Sequence, residues 1–297
     1  MLNLPLVTFI VTSFNYDKFL YKTLESIKSQ TYKNFEIIIV DDASSDNSVK
    51  IAEKFISENQ DLKITLLLNK ENKGQLASML SGLKQSRGQF ISFIDSDDIL
   101  LENYAKIHIQ THLSTSVAFT SCKIIETGEN DEVHTMNSIS SPECGSIEDL
   151  FKTENVNFEV LKKKKFGGWY WSPNSSAMYR KAAIEGLLEY RNTEKWRICP
   201  DKFIMNYAHL IGGSAIIFTP LVAYRRHKTN AGESNFVTGN KKLHSDKMSV
   251  INIKNNIKIY PETINFLWQE RKKNGLRMTL GLIAAIFFRP VLFRTVN

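Results

Sequence analysis

The fold is decided by the stretch Phe90-Ile91-Ser92-Phe93-Ile94-Asp95-Ser96-Asp97-Asp98. Its first five residues are mostly apolar and predict a buried strand, and three carboxylates follow within four positions. A folded core does not tolerate such carboxylates unless they face a cation or solvent. At the carboxyl end of a parallel strand they suit a hard divalent cation that keeps open positions for phosphate oxygens. The alternative interpretation is a solvated acidic turn in which Asp caps the next helix.

Strands and helices alternate along the first 115 residues. Apolar patterns predict strands at 6–11, 35–40, 63–68 and 90–94, and amphipathic patterns predict helices at 17–30, 44–55, 75–86 and 101–112. This order requires parallel pairing through right-handed crossovers. It therefore predicts an open, mostly parallel α/β sheet with helices on both faces and with ligands at the carboxyl ends of the strands.

A second predicted strand also ends in carboxylates. Asp41 and Asp42 follow the strand at 35–40, and the ends of parallel strands share one edge of a sheet. Like charges at that edge repel each other unless a cation or a hydroxyl-rich ligand binds there. Asp41 or Asp42 would suit the base or ribose of a nucleotide, and the acids at 95–98 would suit a metal on its diphosphate.

The sequence lacks the glycine-rich loops that bind phosphate in other nucleotide sites. No Gly-x-Gly-x-x-Gly follows the first strand, and no Gly-x-x-x-x-Gly-Lys-Ser/Thr occurs. Dinucleotide and P-loop sites are therefore not predicted. A Mn²⁺ or Mg²⁺ ion held by carboxylates would neutralise the phosphates instead.

The positive charge is concentrated at the C-terminal end. The 297 residues carry a net charge of +7, and residues 241–297 alone hold eleven Lys or Arg against three Asp or Glu. An apolar run at 278–288 is too short to span a bilayer of about 30 Å. We expect residues 236–297 to form a basic, apolar helical extension that contacts a membrane surface, a partner or the core.

Cysteine usage and the N-terminus predict the compartment. Cys122, Cys144 and Cys199 form no Cys-x-x-Cys pair, which indicates neither a disulfide framework nor a zinc site. No basic segment or cleavage site precedes the strand that begins near Leu6, so no signal peptide is expected. These features predict a cytoplasmic protein, either free or at the cytoplasmic face of a membrane.

Four motifs in the first 115 residues point to a known family. They are Val11-Thr12-Ser13-Phe14-Asn15, the segment from Ser29 to Asp46, Asn72-Lys73-Gly74, and the segment from Phe93 to Asp98. Their order and content resemble glycosyltransferase family 2, whose fold is GT-A. The resemblance implies inverting transfer from a nucleoside-diphosphate sugar with a divalent metal. The family often has an Arg-Asn pair after the third motif, where this chain has Met79-Leu80, so one charged donor contact is missing or supplied elsewhere.

The resemblance also implies roles for individual residues. Nucleotide-sugar binding would involve Thr12, Phe14, Asn15, Asp42, Asn72, Gly74, Asp95, Ser96, Asp97 and Arg226. Among these, Thr12 and Phe14 would line the base pocket, and Asp42 would bind the base. Asp97 and Asp98 would be the metal ligands within the acidic cluster.

An inverting transfer needs a general base for the acceptor hydroxyl. The segment 194–203 resembles the region where the family places this acid at the start of a helix. Asp201 lies in the first turn after Pro200 and is the predicted base, with Glu194 as the second candidate. The alternative role for Asp201 is compensation of the helix dipole.

The segment 221–230 resembles the family's Tyr-Arg-x-His pattern. His227 would bind the metal or the diphosphate, and Arg226 or Arg225 would neutralise the diphosphate. A structural histidine is the alternative. The aromatic segment 169–176 is a candidate acceptor wall, with core packing as its alternative.

These observations predict a GT-A domain at 1–235, with a nucleotide-sugar half at 1–115 and an acceptor and catalytic half at 116–235. The donor would be a UDP-sugar and the acceptor a glycan or a lipid-linked glycan. Nucleic acid is not an expected partner, and a homo-oligomer stays open. One alternative is a nucleotidyltransferase, but the turn after the first strand lacks its basic glycine-rich loop. A non-catalytic membrane-surface module is the other, and the complete set of acids argues against it.

Overall fold

The computed structural model describes residues 4–128, 156–161, 170–227 and 262–270. The strands are β1 (Val7–Ser13), β2 (Phe35–Asp41), β3 (Ile64–Leu68), β4 (Phe90–Asp95), β5 (Ile99–Leu100), β6 (Phe119–Thr127), β7 (Phe158–Leu161), β8 (Ala177–Arg180) and β9 (Ser214–Arg225). The helices are α1 (Asp17–Lys28), α2 (Ser48–Glu58), α3 (Gln75–Gln85), α4 (Tyr104–Leu113), α5 (Lys181–Ile184), α6 (Asp201–Gly212) and α7 (262–269).

All described strands join one sheet with the order β3-β2-β1-β4-β8-β6-β9-β5, and β7 pairs with β9. The four strands from β3 to β4 are parallel, as the alternation predicts. Beyond β4 the sheet is mixed, because β8 is antiparallel to both β4 and β6 while β9 is parallel to β6. The strict alternation that forces parallel pairing ends after α4, so later strands join in either direction.

Helices cover both faces of the sheet. On β2, Ile37 and Ile39 face the cluster that contains Phe55 of α2, whereas Ile38 and Val40 face the cluster of α3. This two-residue alternation is the geometry of a strand buried on both sides. Each such fully buried side chain stabilises the fold by roughly 1.5–3 kcal/mol. The α/β fold class is therefore confirmed.

The sheet register brings the ends of three strands together. Ser13 at the end of β1 pairs with Asp41 of β2, and Thr12 pairs with Asp95 of β4. The chain turns away from the sheet after each of these positions. The predicted nucleotide motifs therefore share one edge, formed by the carboxyl ends of the parallel strands.

Part of the predicted extension packs on the sheet domain. Phe266 and Leu267 of α7 are buried in the same core cluster as Phe203 of α6. Residues 271–297, with the apolar run at 278–288, lie outside the described residues, as do Cys144 and Trp169. Within the described ranges, no helix has the length and apolar character to cross a membrane. The domain boundary at 235 stays a prediction.

Candidate functional site

The acids after β4 are buried and close to one another. Asp98 is fully buried, and its Oδ2 accepts no hydrogen bond from the described residues. Burial raises the pKa of Asp98 well above its usual range, and the charges of Asp97 and Asp95 add to this effect. Such a cluster is unfavourable unless a cation compensates it. The segment is held in place by Thr23, whose hydroxyl donates to the carbonyl of Ser96 at 2.9 Å.

Asp95 is held by two side-chain amides. Gln75 Nε2 donates to its Oδ1 at 2.7 Å and Asn174 Nδ2 donates to the same oxygen at 2.9 Å. Burial and the nearby charge of Asp97 raise the pKa of Asp95 to about 8, although the two amides oppose the rise. Asp201 is a further cause of the increase, so its charge lies within electrostatic range of Asp95.

His227 contacts the acidic cluster directly. Its Nε2 lies 2.9 Å from Asp97 Oδ2, and its ring stacks on Phe19 of α1 with centroids 4.4 Å apart. Tyr16 approaches the same imidazole edge-on at 5.7 Å. The helix after β1 therefore shapes the surroundings of His227, which the sequence alone did not indicate.

Arg225, the last residue of β9, and Arg226, which follows it, lie in different environments. Arg225 is fully buried, its backbone N–H donates to Asp98 Oδ1 at 3.3 Å, and its guanidinium lies 5.0 Å from the Phe19 ring. Arg226 instead forms a two-point ion pair with Glu126, with Nε at 2.9 Å from Oε2. Of the two, Arg225 lies beside the acids in this structure.

The residues at and after the end of β1 lie at the same edge of the sheet and are partly exposed to solvent. Thr12 is buried, whereas the ring of Phe14 is 42% exposed. Asn15 has a φ of 60°, and its Oδ1 accepts from the N–H of Ser45 at 2.8 Å. Asn15 thus ties the turn after β1 to the loop after β2.

Asp42 organises the third motif. Its carboxylate accepts from Asn69 Nδ2 at 2.7 Å, from the N–H of Lys73 at 2.9 Å and from the N–H of Gly74 at 2.8 Å. Asn72 in turn accepts through its carbonyl from Arg197 Nη2 at 3.0 Å. Asp42 therefore fixes the Asn72–Gly74 turn at the edge of the sheet.

Asp201 begins α6, as the sequence predicts. The residue is half-buried, and its Oδ1 is shielded from solvent and accepts no hydrogen bond within the described residues. Burial raises its pKa, and the N–H and charge of Lys202 oppose the rise. Glu194 is exposed in the short 3-10 helix Thr193–Trp196. Of the two predicted bases, Asp201 is the one whose charge adds to the raised pKa of Asp95.

The structure adds residues that sequence reasoning missed. The ring of Tyr16 lies 5.7 Å from that of His227, which contacts Asp97. Burial, with the charges of Asp95, Asp97 and Asp98, raises the pKa of both Tyr16 and Tyr224. The position of Tyr16 at the start of α1 was the available signal, since helix starts in this fold lie at the ligand edge.

The aromatic segment divides between core and site. Trp171 is buried, and its Nε1 donates to Ser214 Oγ at 2.9 Å, so this ring packs in the core. Asn174 and Ser175 from the same segment instead contact Asp95, whose N–H donates to Ser175 Oγ at 3.0 Å.

The predicted metal ligands Asp97, Asp98 and His227 lie near one another but are not arranged as a coordination site. Asp97 and His227 form a hydrogen-bonded pair, and Asp98 is the adjacent acid. Across the described ranges, no group of three or more His, Cys, Asp or Glu side chains has the arrangement needed to hold a metal ion. Two carboxylates and an imidazole nonetheless match the oxygen and nitrogen donors that Mn²⁺ accepts.

Known proteins resemble this chain over most of its length. The family model for Glycosyl transferase family 2 matches residues 8–188. The UDP-Glc:alpha-D-GlcNAc-diphosphoundecaprenol beta-1,3-glucosyltransferase WfaP of Escherichia coli is 33% identical over 181 residues, which are 56% of this chain and 69% of WfaP. Alignments with the first five curated relatives cover between 32% and 66% of each relative's own length.

Solved structures show the same fold at low identity. TarS 1-349 of S. aureus in complex with UDP-GlcNAc has a TM-score of 0.58 and 16% identity, covering 95% of this chain and 72% of that chain. The mannosyltransferase PcManGT from Pyrobaculum calidifontis, in complex with GDP-Man and Mn2+, has a TM-score of 0.55 and 15% identity, covering 96% and 81% respectively. The GT-A type fold is thereby confirmed, and the match over 8–188 shows that the chain belongs to glycosyltransferase family 2.

Proposed function

We propose that the chain is an inverting glycosyltransferase that moves a sugar from a UDP-sugar to a hydroxyl of a glycan or lipid-linked acceptor. The observation that carries this proposal is the link between Asp95 and the start of α6. Gln75 Nε2 donates to Asp95 Oδ1 at 2.7 Å, and Gln75 Oε1 accepts from the N–H of Cys199, two residues before Asp201, at 3.2 Å. A shielded acid at the start of α6 and an acidic cluster after β4 thus share one edge of the sheet. Family membership supports the reaction class, and the UDP-glucose donor for which WfaP is named supports a UDP-linked donor.

The donor would lie across the ends of β1, β2 and β4. The exposed ring of Phe14 offers a flat apolar face for the base, with Thr12 and Asn15 beside it. Asp42 would shape the base pocket through the Asn72–Gly74 turn. Asp95 and Ser96 would contact the ribose.

A divalent cation, Mn²⁺ or Mg²⁺, would be held by Asp97, Asp98 and His227. The unpartnered Oδ2 of buried Asp98 is the observation that fits such an ion. When bound, the ion would neutralise negative charge on the diphosphate. Arg226 would approach the diphosphate only if its ion pair with Glu126 opened, whereas Arg225 already lies beside Asp98.

Asp201 would act as the general base. It would take the proton from the acceptor hydroxyl while that oxygen attacks the anomeric carbon, on the face opposite the leaving diphosphate. A carboxylate shielded from solvent is a stronger base than a solvated one, because burial raises its pKa.

The acceptor would be presented at the cytoplasmic face of a membrane. WfaP is named for an acceptor on diphosphoundecaprenol, a lipid carrier. The basic and apolar segment 241–297 would favour an anionic lipid surface. The location and the lipid-linked acceptor rest on these two observations.

The experiment is a thermal-shift screen of UDP- and GDP-sugars with and without Mn²⁺, followed by assays of nucleotide release. A ligand that binds the folded state raises its melting temperature. We expect a metal-dependent shift with a UDP-sugar, lost in Asp97→Ala, and slow release of UDP without acceptor. Formation of UTP and a sugar 1-phosphate from the UDP-sugar and added pyrophosphate would instead indicate a nucleotidyltransferase. Binding without any turnover, even with glycan and lipid-linked acceptors, would indicate a binding module.

A further inference from the structure

The side chain of Gln75 joins two parts of the site that are far apart in sequence. At one end, Nε2 donates to Asp95 Oδ1 at 2.7 Å. At the other end, Oε1 accepts from the backbone N–H of Cys199 at 3.2 Å. The backbone N–H of Gln75 also donates to the carbonyl of Arg197 at 3.0 Å. One residue therefore contacts the acid of the donor side and the segment that leads into α6.

An amide suits both contacts at once. It donates to a carboxylate through its nitrogen and accepts from a backbone N–H through its oxygen. A carboxylate at position 75 would keep the acceptor for Cys199 but would repel Asp95. An aliphatic side chain would lose both bonds. Substitutions at position 75 therefore separate the two contacts.

The segment 197–199 lies tightly against the start of α3. Gly74 has a φ of 89°, and a Cβ on it would meet the Cα of Arg197 at 2.7 Å. Arg197 also donates from Nη2 to the carbonyl of Asn72 at 3.0 Å. Because α6 begins two residues after Cys199, the placement of this segment sets the placement of Asp201.

We infer that Gln75 is a positioning residue, which fixes the distance between the acid Asp95 at the donor and the base Asp201. This inference rests on the proposed function, since it assigns those roles to the two acids. Gln75 itself touches neither the sugar nor the acceptor hydroxyl. Its loss should impair the alignment of base and donor more than the binding of the nucleotide.

The first test measures amide hydrogen exchange over residues 197–201 in Gln75→Leu, with Gln85→Leu on the exposed part of the same helix as the matched control. Loss of the bond to Cys199 should speed exchange of that amide about fivefold in Gln75→Leu only. Equal exchange in the two variants overturns the inference. Melting curves verify that each variant is folded, and Gln75→Ala, which also loses both bonds, serves as the second variant if Gln75→Leu does not fold.

The second test compares UDP affinity with UDP-sugar turnover. In Gln75→Leu, turnover should fall about tenfold while UDP affinity changes less than about threefold. In Gln75→Glu, repulsion of Asp95 should lower turnover, whereas Gln85→Glu should match the wild type. An equal loss of affinity and turnover in Gln75→Leu overturns the positioning role. If the wild type turns over no donor, the proposed function fails, while the exchange measurement still decides whether Gln75 holds the segment.

Discussion

His227 Nε2 lies 2.9 Å from Asp97 Oδ2, although 130 positions separate the two residues in the sequence. The contact joins the residue after β9 to the acids after β4, across the ligand edge of the sheet. The imidazole is fixed from its other side by the ring of Phe19, whose centroid lies 4.4 Å away. A stacked ring with a bound nitrogen has one orientation, so the donors of Asp97 and His227 are held in a defined relation before any ligand arrives.

Phe19→Leu should therefore weaken metal-dependent nucleotide binding. Leucine keeps an apolar side chain in α1 but removes the ring on which His227 stacks. Positioning contacts around metal ligands are typically worth about 10- to 100-fold in metal affinity, and we expect a loss of about tenfold. Titration calorimetry of UDP at several Mn²⁺ concentrations measures it. Phe55→Leu, which removes a fully buried ring of α2, is the control for lost packing. Equal losses in the two variants would show that the Phe19 ring has no specific role.

Asp201 and Glu194 are distinguished by substitution and by pH. Asp201→Asn should lower transfer by about 10²- to 10⁴-fold with nearly unchanged donor affinity, whereas exposed Glu194→Gln should transfer normally. Because burial raises the pKa of Asp201 and a base acts in its deprotonated form, transfer should fall as pH drops through that raised pKa. Profiles of kcat/KM against pH measure this limb. Full activity in Asp201→Asn would mean that Asp201 only compensates the helix dipole at the start of α6 and is not the base.

Glu262 of α7 braces the segment that precedes Asp201. Its carboxylate accepts from the hydroxyl of Tyr190 at 3.1 Å and pairs with Lys195, and Trp196 Nε1 donates to the same hydroxyl at 3.0 Å. Glu262→Gln should lower the free energy of unfolding by about 1 kcal/mol, because a partly exposed ion pair and a charged hydrogen bond are weakened.

Hydrogen exchange locates the effect of that change. Exchange should rise within 190–196 in Glu262→Gln and stay unchanged in Glu53→Gln, which removes an exposed carboxylate from α2. Urea unfolding of the two variants measures the difference in stability. Faster exchange spread evenly over the domain would mean that α7 contributes general stability only.

The sequence predicted the parts of the site that have local signals. The strand before Asp95 and the acids after it are contiguous, so apolar pattern and charge were sufficient to locate them. Asp201 was predicted because the segment 194–203 resembles the family's region for the base, with Pro200 and an acid at a helix start. Gln75 and Asn174 carry no such signal, because an amide becomes informative only when tertiary packing brings it to Asp95.

The choice between Arg225 and Arg226 needed the sheet register. Neighbouring residues at a strand end point to opposite sides, and the residue pattern does not say which side is inward. In the structure Arg225 is buried with its guanidinium 5.0 Å from the Phe19 ring, whereas Arg226 pairs with exposed Glu126. The mixed strand directions beyond β4 could not be predicted either, because no local sequence pattern shows which strands pair antiparallel.

Two buried histidines away from the site predict acid sensitivity. His108 Nδ1 lies 2.6 Å from Thr120 Oγ1, and His112 Nε2 lies 3.0 Å from the carbonyl of Met178. Burial, reinforced by the charge of Arg180, lowers the pKa of His112 to about 3 despite that carbonyl. Burial and the neighbouring His112 lower the pKa of His108 well below its usual range. Both rings are therefore neutral in the folded protein at neutral pH.

Stability should fall as the pH drops below about 6.5, where histidines of the unfolded chain take up protons that the folded protein excludes. The loss continues down to the folded pKa of each ring and amounts to about 2 kcal/mol per histidine between pH 6.5 and pH 5. Urea unfolding at intervals across this range measures the slope. His112→Gln keeps a polar side chain that does not titrate, so its slope should be smaller than that of the wild type by about one proton, or about 1.4 kcal/mol per pH unit. An identical slope in the two proteins would mean that His112 is protonated equally in the folded and unfolded states.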